Sequence, residues 1–407
     1  MSTVFIQIGQ CGNQIGHAFW RKVVKDDEIT KSHSFIHTDG KLRAVVVDSE
    51  PKVVRKITKN LPFREESIVT GKRGRGTNWA LGYYGLKRSG DDHLLEDTLE
   101  AVRKEVERCD CLNGIVLLHS LSGGTGSGFG SRLTETLRNI YPIHYLMSCV
   151  FAPHASGESP LQHYNSMLSL STLQRNVDCI VITHNDDVLN RVQRRKAQEN
   201  VSFAQLNDTI ASHLCGIFLP TDSLKTKSAY SLGMEPWEMV RTISPMPNLK
   251  FVQVAQYMNS KMSWSDLLSK LSATWRKYDS CGKPYNSIGT ICVARGDTTN
   301  SFPLHMSTLE TKLSQSFHCV DWNPFPIDFW HAKSNTCGSR NSASLTVATN
   351  CSSVVQYLNT VLERSKVMYN AGAYLHWYWR HGANKVDFEQ SFETLENVIT
   401  DYKAAVK

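Results

Sequence analysis

The chain has 407 residues, 41% hydrophobic and 20% charged; this composition excludes intrinsic disorder and leaves room for about two to three domains. Its 45 basic residues outnumber 38 acidic ones, for a net charge of +7; with no recognisable nucleic-acid module, so diffuse an excess excludes nucleic acid as the expected partner. No apolar run approaches the ~18 residues that span a bilayer, and "MSTVFIQIG" lacks the basic start of a secretory leader, so a membrane is excluded as well.

In chain order, "TVFIQIGQ" reads as a buried strand and "CGNQIGHAFWRKVV" as the helix it feeds. "LRAVVVDSEP" is a second strand, ending in the carboxylates Asp48 and Glu50. "DTLEAVRKEVERC" has a helical period, with Leu99, Val102 and Val106 on one face. Next come the strand "GIVLLHS", the helix "SRLTETLRNI" and the strands "HYLMSCVFAP" and "DCIVITHND". Strands alternating with helices predict an α/β fold, a mostly parallel sheet flanked by helices, with ligands bound beyond the carboxyl ends of the strands. A long amphipathic helix follows, "SFAQLNDTIASHLCGIF", in which Phe203, Leu206, Ile210, Leu214 and Ile217 form a core-facing stripe. The Pro-punctuated "EPWEMVRTISPMPNLK" leads to a second, smaller α/β portion containing "LKFVQVAQY", "SIGTICVARGD" and "HCVDWNPFP". Two helices, "SVVQYLNTVLERSKVMY" and "DFEQSFETLENVITDYKAAV", end the chain.

Between "GIVLLHS" and its helix lies "LSGGTGSGFG", with Gly123, Gly124, Gly126 and Gly128 inside six residues. Bare backbone at a helix start offers N–H groups and a positive helix end to an anion, and Thr125 and Ser127 add hydroxyls. The loop is neither a Walker A nor a GxGxxG dinucleotide motif. Alone, such a turn is more often structural than a phosphate cradle, and the strand before it and helix after it bring the two readings level. The loop "GQCGNQIG" after the first strand favours the cradle, because it is a second anion-friendly strand end. Asp48 and Glu50 suit a hard cation held largely through water, as Mg²⁺ prefers; by themselves they would read as an ordinary helix start before Pro51. Eleven cysteines without a leader imply a reducing compartment and mostly buried, free thiols. Cys109 and Cys111 have no second pair at metal-ligand spacing. The basic clusters "GKRGRG" (Lys72, Arg73, Arg75) and "RVQRRKAQ" (Arg191, Arg194, Arg195, Lys196) read as solvated faces or as a contact for an acidic protein surface.

The segments "GQCGNQIG", "VDSEP", "TNWALGYY", "HSLSGGTGSGFG", "HYNSML", "VDW" and "YLHWYW" occur in the order and rough spacing of the tubulin family, which the chain resembles over nearly its whole length. The resemblance implies GTP or GDP with Mg²⁺. Gln10 and Cys11 would lie against the α- and β-phosphates, and Gln14 near the ribose and base. Gly123, Gly124, Thr125, Gly126 and Ser127 would cradle the β- and γ-phosphates. Ser122 stands where the family has glycine and Thr77 where it has asparagine, and both keep hydrogen-bonding ability. Asp48 and Glu50 would hold the Mg²⁺ water shell. Asn185 and Asn207 match the asparagines that read guanine, since an amide both donates and accepts. Phe203 matches the aromatic that stacks on the base. Glu158 matches a ribose-side position, and Gln162 replaces a ribose-binding Glu.

Hydrolysis in the family is completed in trans, and Glu238 matches the carboxylate that orients water on the next subunit's nucleotide. The resemblance further implies residues 1–200 as a GTP-binding domain, 201–220 as a core helix, 221–350 as an intermediate domain with a partner-contact loop, and 351–407 as a helical region. The chain stops at "DYKAAVK" without an acidic tail, and the segments mapping to lateral contacts are short. These departures argue against a bulk microtubule subunit, and "VRKEVERCD" with a phosphate loop that does not begin Gly-Gly-Gly resembles the delta and zeta classes of centrioles, basal bodies and cilia. The expected partners are other tubulins, met longitudinally in the cytoplasmic cytoskeleton, with slow or partner-dependent GTP hydrolysis. The alternative is a structural or adaptor tubulin with no nucleotide, or a frozen one, and no GTPase activity.

Overall fold

The computed structural model describes residues 2–25, 34–85, 93–157, 159–196, 200–225, 230–231, 236–299, 301–335 and 342–406. Its backbone is a ten-stranded sheet. Six parallel strands make the first part: β1 (Ser2–Ile8), β2 (Ala44–Asp48), β3 (Ile68–Thr70), β4 (Leu112–Ser120), β5 (Tyr145–Ala152) and β6 (Cys179–His184). A two-residue ribbon, β7 (Leu224–Lys225) with β8 (Tyr230–Ser231), stands apart. The sheet then continues through β9 (Phe251–Asn259), β10 (Ser287–Arg295), β11 (Ile327–Ala332) and β12 (Ala343–Cys351), in the spatial order β11-β10-β12-β9-β6-β5-β4-β1-β2-β3. The expected mostly parallel sheet flanked by helices is what forms; only β12, antiparallel to both β9 and β10, departs from it.

Parallel strands need crossovers, and the helices that make them cover both faces. Successive residues of β4 divide the core between those faces: Ile115 and Leu117 face one side, Val116 and Leu118 the other. On the first face lie α4 (Leu94–Glu107), α5 (Gly130–Ile140), α6 (Gln162–Asn176), α12 (Val354–Asn370) and α14 (Lys385–Ala405). On the second lie α1 (Gly9–Val23), α2 (Pro51–Thr58), α8 (Phe203–Phe218) and α9 (Pro236–Ile243). The short α3 (Trp79–Tyr84) and α13 (Leu375–Arg380) pack together, α7 (Asn185–Lys196) follows β6, and α10 (Trp264–Ser272) and α11 (Phe302–Phe317) cover the smaller part of the sheet. Ser202 begins α8 with a reciprocal capping box to Gln205.

The two parts of the sheet meet where β6 runs parallel to β9, through the pairs Ile180–Phe251 and Val181–Val252. Side chains seal this narrow seam. Lys250 Nζ donates to the carbonyls of Gln174 (3.0 Å) and Val177 (2.7 Å). Asn350 Nδ2 donates to the carbonyls of Ile243 (2.8 Å) and Leu249 (2.7 Å). Tyr402, from the last helix, donates to Asn350 Oδ1 (2.7 Å) and accepts the N–H of Phe251 (3.0 Å).

A second polar hub, Asn165 on α6, governs the loops at the carboxyl end of the sheet. It is fully buried. Its Nδ2 donates to the carbonyls of Thr77 (2.6 Å) and Ser122 (2.7 Å), and its Oδ1 accepts from Trp79 N (2.9 Å) and Tyr378 OH (2.7 Å). One side chain therefore uses its full hydrogen-bonding capacity on two loops, a helix start and the C-terminal region. Asn165→Asp keeps the shape but sets a carboxylate oxygen against two carbonyls. The expected result is a loss of about 3 kcal/mol in denaturant unfolding, with a lower thermal midpoint; an unchanged midpoint would refute the hub.

Candidate functional site

The carboxyl ends of β1, β2, β4, β5 and β6 lie along one edge, and the turns that leave them converge. After β1 the chain turns at Gly9, whose φ of +71° suits glycine. A Cβ on Gly9 would sit 3.1 Å from Gly126 N, so the first turn lies directly against the glycine-rich one. After β2, Ser49 Oγ is 2.7 Å from Thr125 Oγ1, which ties the Asp48–Glu50 strand end to the same turn. After β3, the segment "GKRGRGT" passes beneath it: Gly124 N donates to Gly76 O (2.9 Å), and a Cβ on Gly124 would meet Arg75 O at 2.2 Å. Gly124 is thus glycine because another backbone occupies the space of a side chain.

The glycine-rich turn itself is a π-helical segment, Gly124–Phe129, running without a break into α5. A helix start leaves N–H groups without intrahelical acceptors and carries the positive end of the dipole. The hydroxyls are otherwise employed: Ser127 Oγ donates to the carbonyl of Gly123, and Thr125 is tied to Ser49. The N–H groups of Thr125 and Gly126 are therefore the donors this turn presents, since those of Gly123, Gly124 and Ser127 are spent on Ser120 Oγ, Gly76 O and Gly123 O. His119 beneath it is fully buried, with its pKa pushed down to about 4 by that burial, so it stays neutral and adds no charge.

Asp48 is 5% exposed. Burial pushes its pKa up to about 6, and the charge of Glu50 adds to the rise against the opposing N–H groups of Glu50 and Ser49. Glu50 is exposed. No cluster of three or more metal-ligating side chains occurs among the described residues. Two carboxylates, one of them costly to ionise, beside an anion-seeking helix start fit a dication that keeps water and takes its remaining oxygens from a phosphate.

The other expected residues are distributed over several elements. Gln10 and Cys11 begin α1, Thr77 is exposed just before α3, and Ser122 and Gly123 are half-buried ahead of the turn. Asn185 opens α7 at the end of β6. Gln14, Phe203 and Asn207 line one cavity of about 1130 Å³ between α1, α2 and the start of α8. Phe203 does not belong to the core stripe of α8 as expected: it is 63% exposed, while Leu206, Ile210, Leu214 and Ile217 are buried. As the first residue of the helix it projects beyond the packed face. Glu158 lies outside the described residues. Glu238 lies away from the turns, on α9 rather than a loop, and is 1% exposed.

Four contributors escaped the sequence reading. Ser49 bridges two strand ends, and Asn165 fixes Thr77 and Ser122. Asp186 fastens the loop after β5 by accepting from Ala155 N (2.8 Å) and pairing with His154 Nδ1 (2.6 Å). Arg75, 3% exposed, lies in a segment assigned to a solvated face. Only the side-by-side reading of "VDSEP", "HYNSML" and "THNDD" with the glycine-rich loop could have suggested the first three.

Residues 2–193 match the GTPase domain of the Tubulin/FtsZ family. Over its full length the chain is similar to the tubulin delta chains of Canis lupus familiaris, at 27% identity with 99% of each chain covered, and of Homo sapiens, at 25% with 99% of each. The nucleomorph tubulin beta chain of Guillardia theta is 28% identical over 98% of this chain and 95% of its own. Residues 2–193 thus carry the match to the Tubulin/FtsZ GTPase domain, on a sheet whose strand ends gather two glycine-bearing turns and a carboxylate pair, in a chain similar to delta and beta tubulins over nearly its whole length.

Proposed function

We propose that the chain binds GTP or GDP with Mg²⁺ at the convergent strand ends, meets other tubulins longitudinally, and hydrolyses GTP slowly or only with a partner. The supporting observation is the contact of three separate strand ends: Ser49 against Thr125, and Gly9 against Gly126. The backbone N–H groups of Thr125 and Gly126, with the dipole of the helix behind them, hold the phosphates, while Gly123, Gly124 and Ser127 shape the turn by donating to Ser120 Oγ, Gly76 O and Gly123 O. Gln10 and Cys11 close the site from α1, and Thr77 and Ser122 flank it. Mg²⁺, held by Asp48 and Glu50 through water, supplies charge neutralisation of the phosphates. Asn185 and Asn207 read the guanine edge, Phe203 stacks on its face, and Gln14 and Glu158 serve the ribose side.

Glu238 is the residue that acts across an interface. A carboxylate buried in the isolated chain cannot orient water on another molecule, so it becomes competent only when docking uncovers it. Residues 1–200 form the GTP-binding domain, 201–220 the core helix that adds Phe203 and Asn207, 221–350 the intermediate domain with the partner-contact loop, and 351–407 the C-terminal helical region. Placement at centrioles or basal bodies rests on the likeness to delta tubulins.

Four outcomes are expected. Denaturing the purified protein releases close to one equivalent of guanine nucleotide; release of none removes the nucleotide reading and leaves an adaptor tubulin. Asp48 holds its proton more tightly folded than unfolded, so its contribution to stability falls as pH rises from the ordinary 3.8 through about 6. Asp48→Asn therefore stabilises the nucleotide-free chain at neutral pH by on the order of 2 kcal/mol in urea unfolding, and it weakens the Mg²⁺ dependence of nucleotide affinity. In the unaltered chain that Mg²⁺ dependence fades below about pH 6, where the proton competes with the cation; a dependence flat across this range counts against Asp48. Glu238→Ala, mixed with GTP-loaded α/β-tubulin, lowers hydrolysis of the partner's nucleotide by at least about tenfold relative to the unaltered chain; equal rates discard the trans role.

A further inference from the structure

The cavity that holds Gln14, Phe203 and Asn207 at one end is walled along its length by basic side chains. From the last turns of α1 and just beyond come Arg21, Lys22 and Lys25. From α2 and just beyond come Lys52, Arg55, Lys56 and Lys59. The lining holds a single carboxylate, Asp208, which pairs with Lys22 at 2.9 Å. The other six cations have no acidic partner among the described residues. Seven positive charges and one negative gather in one groove of a chain whose whole excess is +7.

Helix physics alone does not ask for this pattern. A cation near a helix C-terminus is favoured by the dipole, which accounts for Arg21, Lys22, Arg55 and Lys56. Lys52, in the first turn of α2, is at the end where the dipole disfavours it. The spacing Lys52, Arg55, Lys56, Lys59 also places like charges three and four residues apart, each pair costing roughly 0.2–0.5 kcal/mol. The stripe opposes the stability of its own helix, and an anionic occupant would reverse that sign. The floor between the cations is apolar, made by Ala18, Val53 and Ile57, with exposed Phe203 at the end. A trough between two helices, charged along its rims and apolar below, accepts one extended chain and excludes a duplex.

We propose that this groove is a docking site for an acidic peptide segment of a partner protein: an extended run of carboxylates whose occasional apolar side chains rest on the floor. Charge complementarity selects the partner and speeds its encounter, with strong sensitivity to salt. None of the seven cations is among the residues proposed to hold the nucleotide, so the proposal does not rest on that reading, although the groove adjoins the proposed base pocket at Gln14, Phe203 and Asn207.

The test uses the full chain and a fluorescein-labelled octaglutamate peptide, read by anisotropy at about 50 mM and about 200 mM salt. The peptide binds the unaltered chain at low salt and weakens steeply at high salt. Arg55→Glu, Lys56→Glu and Lys59→Glu together weaken binding by at least about tenfold. The equally charged control, Lys261→Glu, Lys270→Glu and Lys283→Glu, on the smaller part of the sheet, changes it less than about twofold. Circular dichroism establishes that both variants fold. Equal losses in the two variants would reduce the effect to net charge and overturn the site. Absence of binding to the unaltered chain also overturns it, including the case in which Asp26, Asp27 and Glu28 of the chain itself occupy the groove. Tighter binding of an eight-residue oligothymidylate than of the peptide would assign the groove to nucleic acid instead.

Discussion

Asn165 is the constraint on which the loop end of the molecule depends. Loops beyond strand ends are short of regular hydrogen bonds, and in a buried crevice each unsatisfied carbonyl costs free energy. Asn165 meets that need for Thr77 and Ser122 at once, and it takes a backbone N–H from Trp79 and a hydroxyl proton from Tyr378. The segment after β3 and the glycine-rich turn are therefore held by the same amide, so neither is placed without the other. Ser49 and Gly9 complete the closure from the remaining strand ends. What the sheet provides is a rigid edge; what Asn165 provides is a common origin for the loops that rise from it.

Charge is distributed with equal economy. At the convergent strand ends the chain offers oriented N–H groups, a neutral His119 and a carboxylate that burial makes reluctant to ionise. On the far side of α1, by contrast, full cations stand with little compensation. Partial charges fixed in the backbone cost nothing to reorient and suit a site that must grip a small anion closely. Mobile lysines suit a surface that meets a longer and less exact ligand.

Much of this was legible in the sequence. The alternation of apolar runs and amphipathic stretches marked β1, β2, β4, β5, β6, α1, α4, α5 and α8, because each buries one face or both in the expected period. The glycine-rich turn and the Asp48–Glu50 pair were legible as chemistry. Helix α6 was not: eleven of its fifteen residues are buried, among them Asn165, Ser166, Ser169, Ser171 and Thr172, so it has no polar face to betray its period. Glu105 on α4 was hidden for a related reason. It is fully buried and satisfied by His37 (3.0 Å), Ser67 (2.8 Å), Arg64 (3.3 Å) and Arg108 (3.3 Å), partners scattered through the sequence. Phe203 misled because periodicity places a residue on a face but says nothing of whether the packed body reaches that far. The helix at Glu238 was obscured by the prolines that flank it.

The seam between β6 and β9 has a consequence for how the chain is made. The N–H of Phe251 waits for the hydroxyl of Tyr402, 151 positions later, and Asn165 waits for Tyr378, 213 positions later. A polypeptide emerging from the ribosome reaches both partners only after β12, the last strand among the described residues, has been synthesised. Until then the seam and the loop hub each lack one polar partner, and both bonds close only across long stretches of sequence, which places them late in folding.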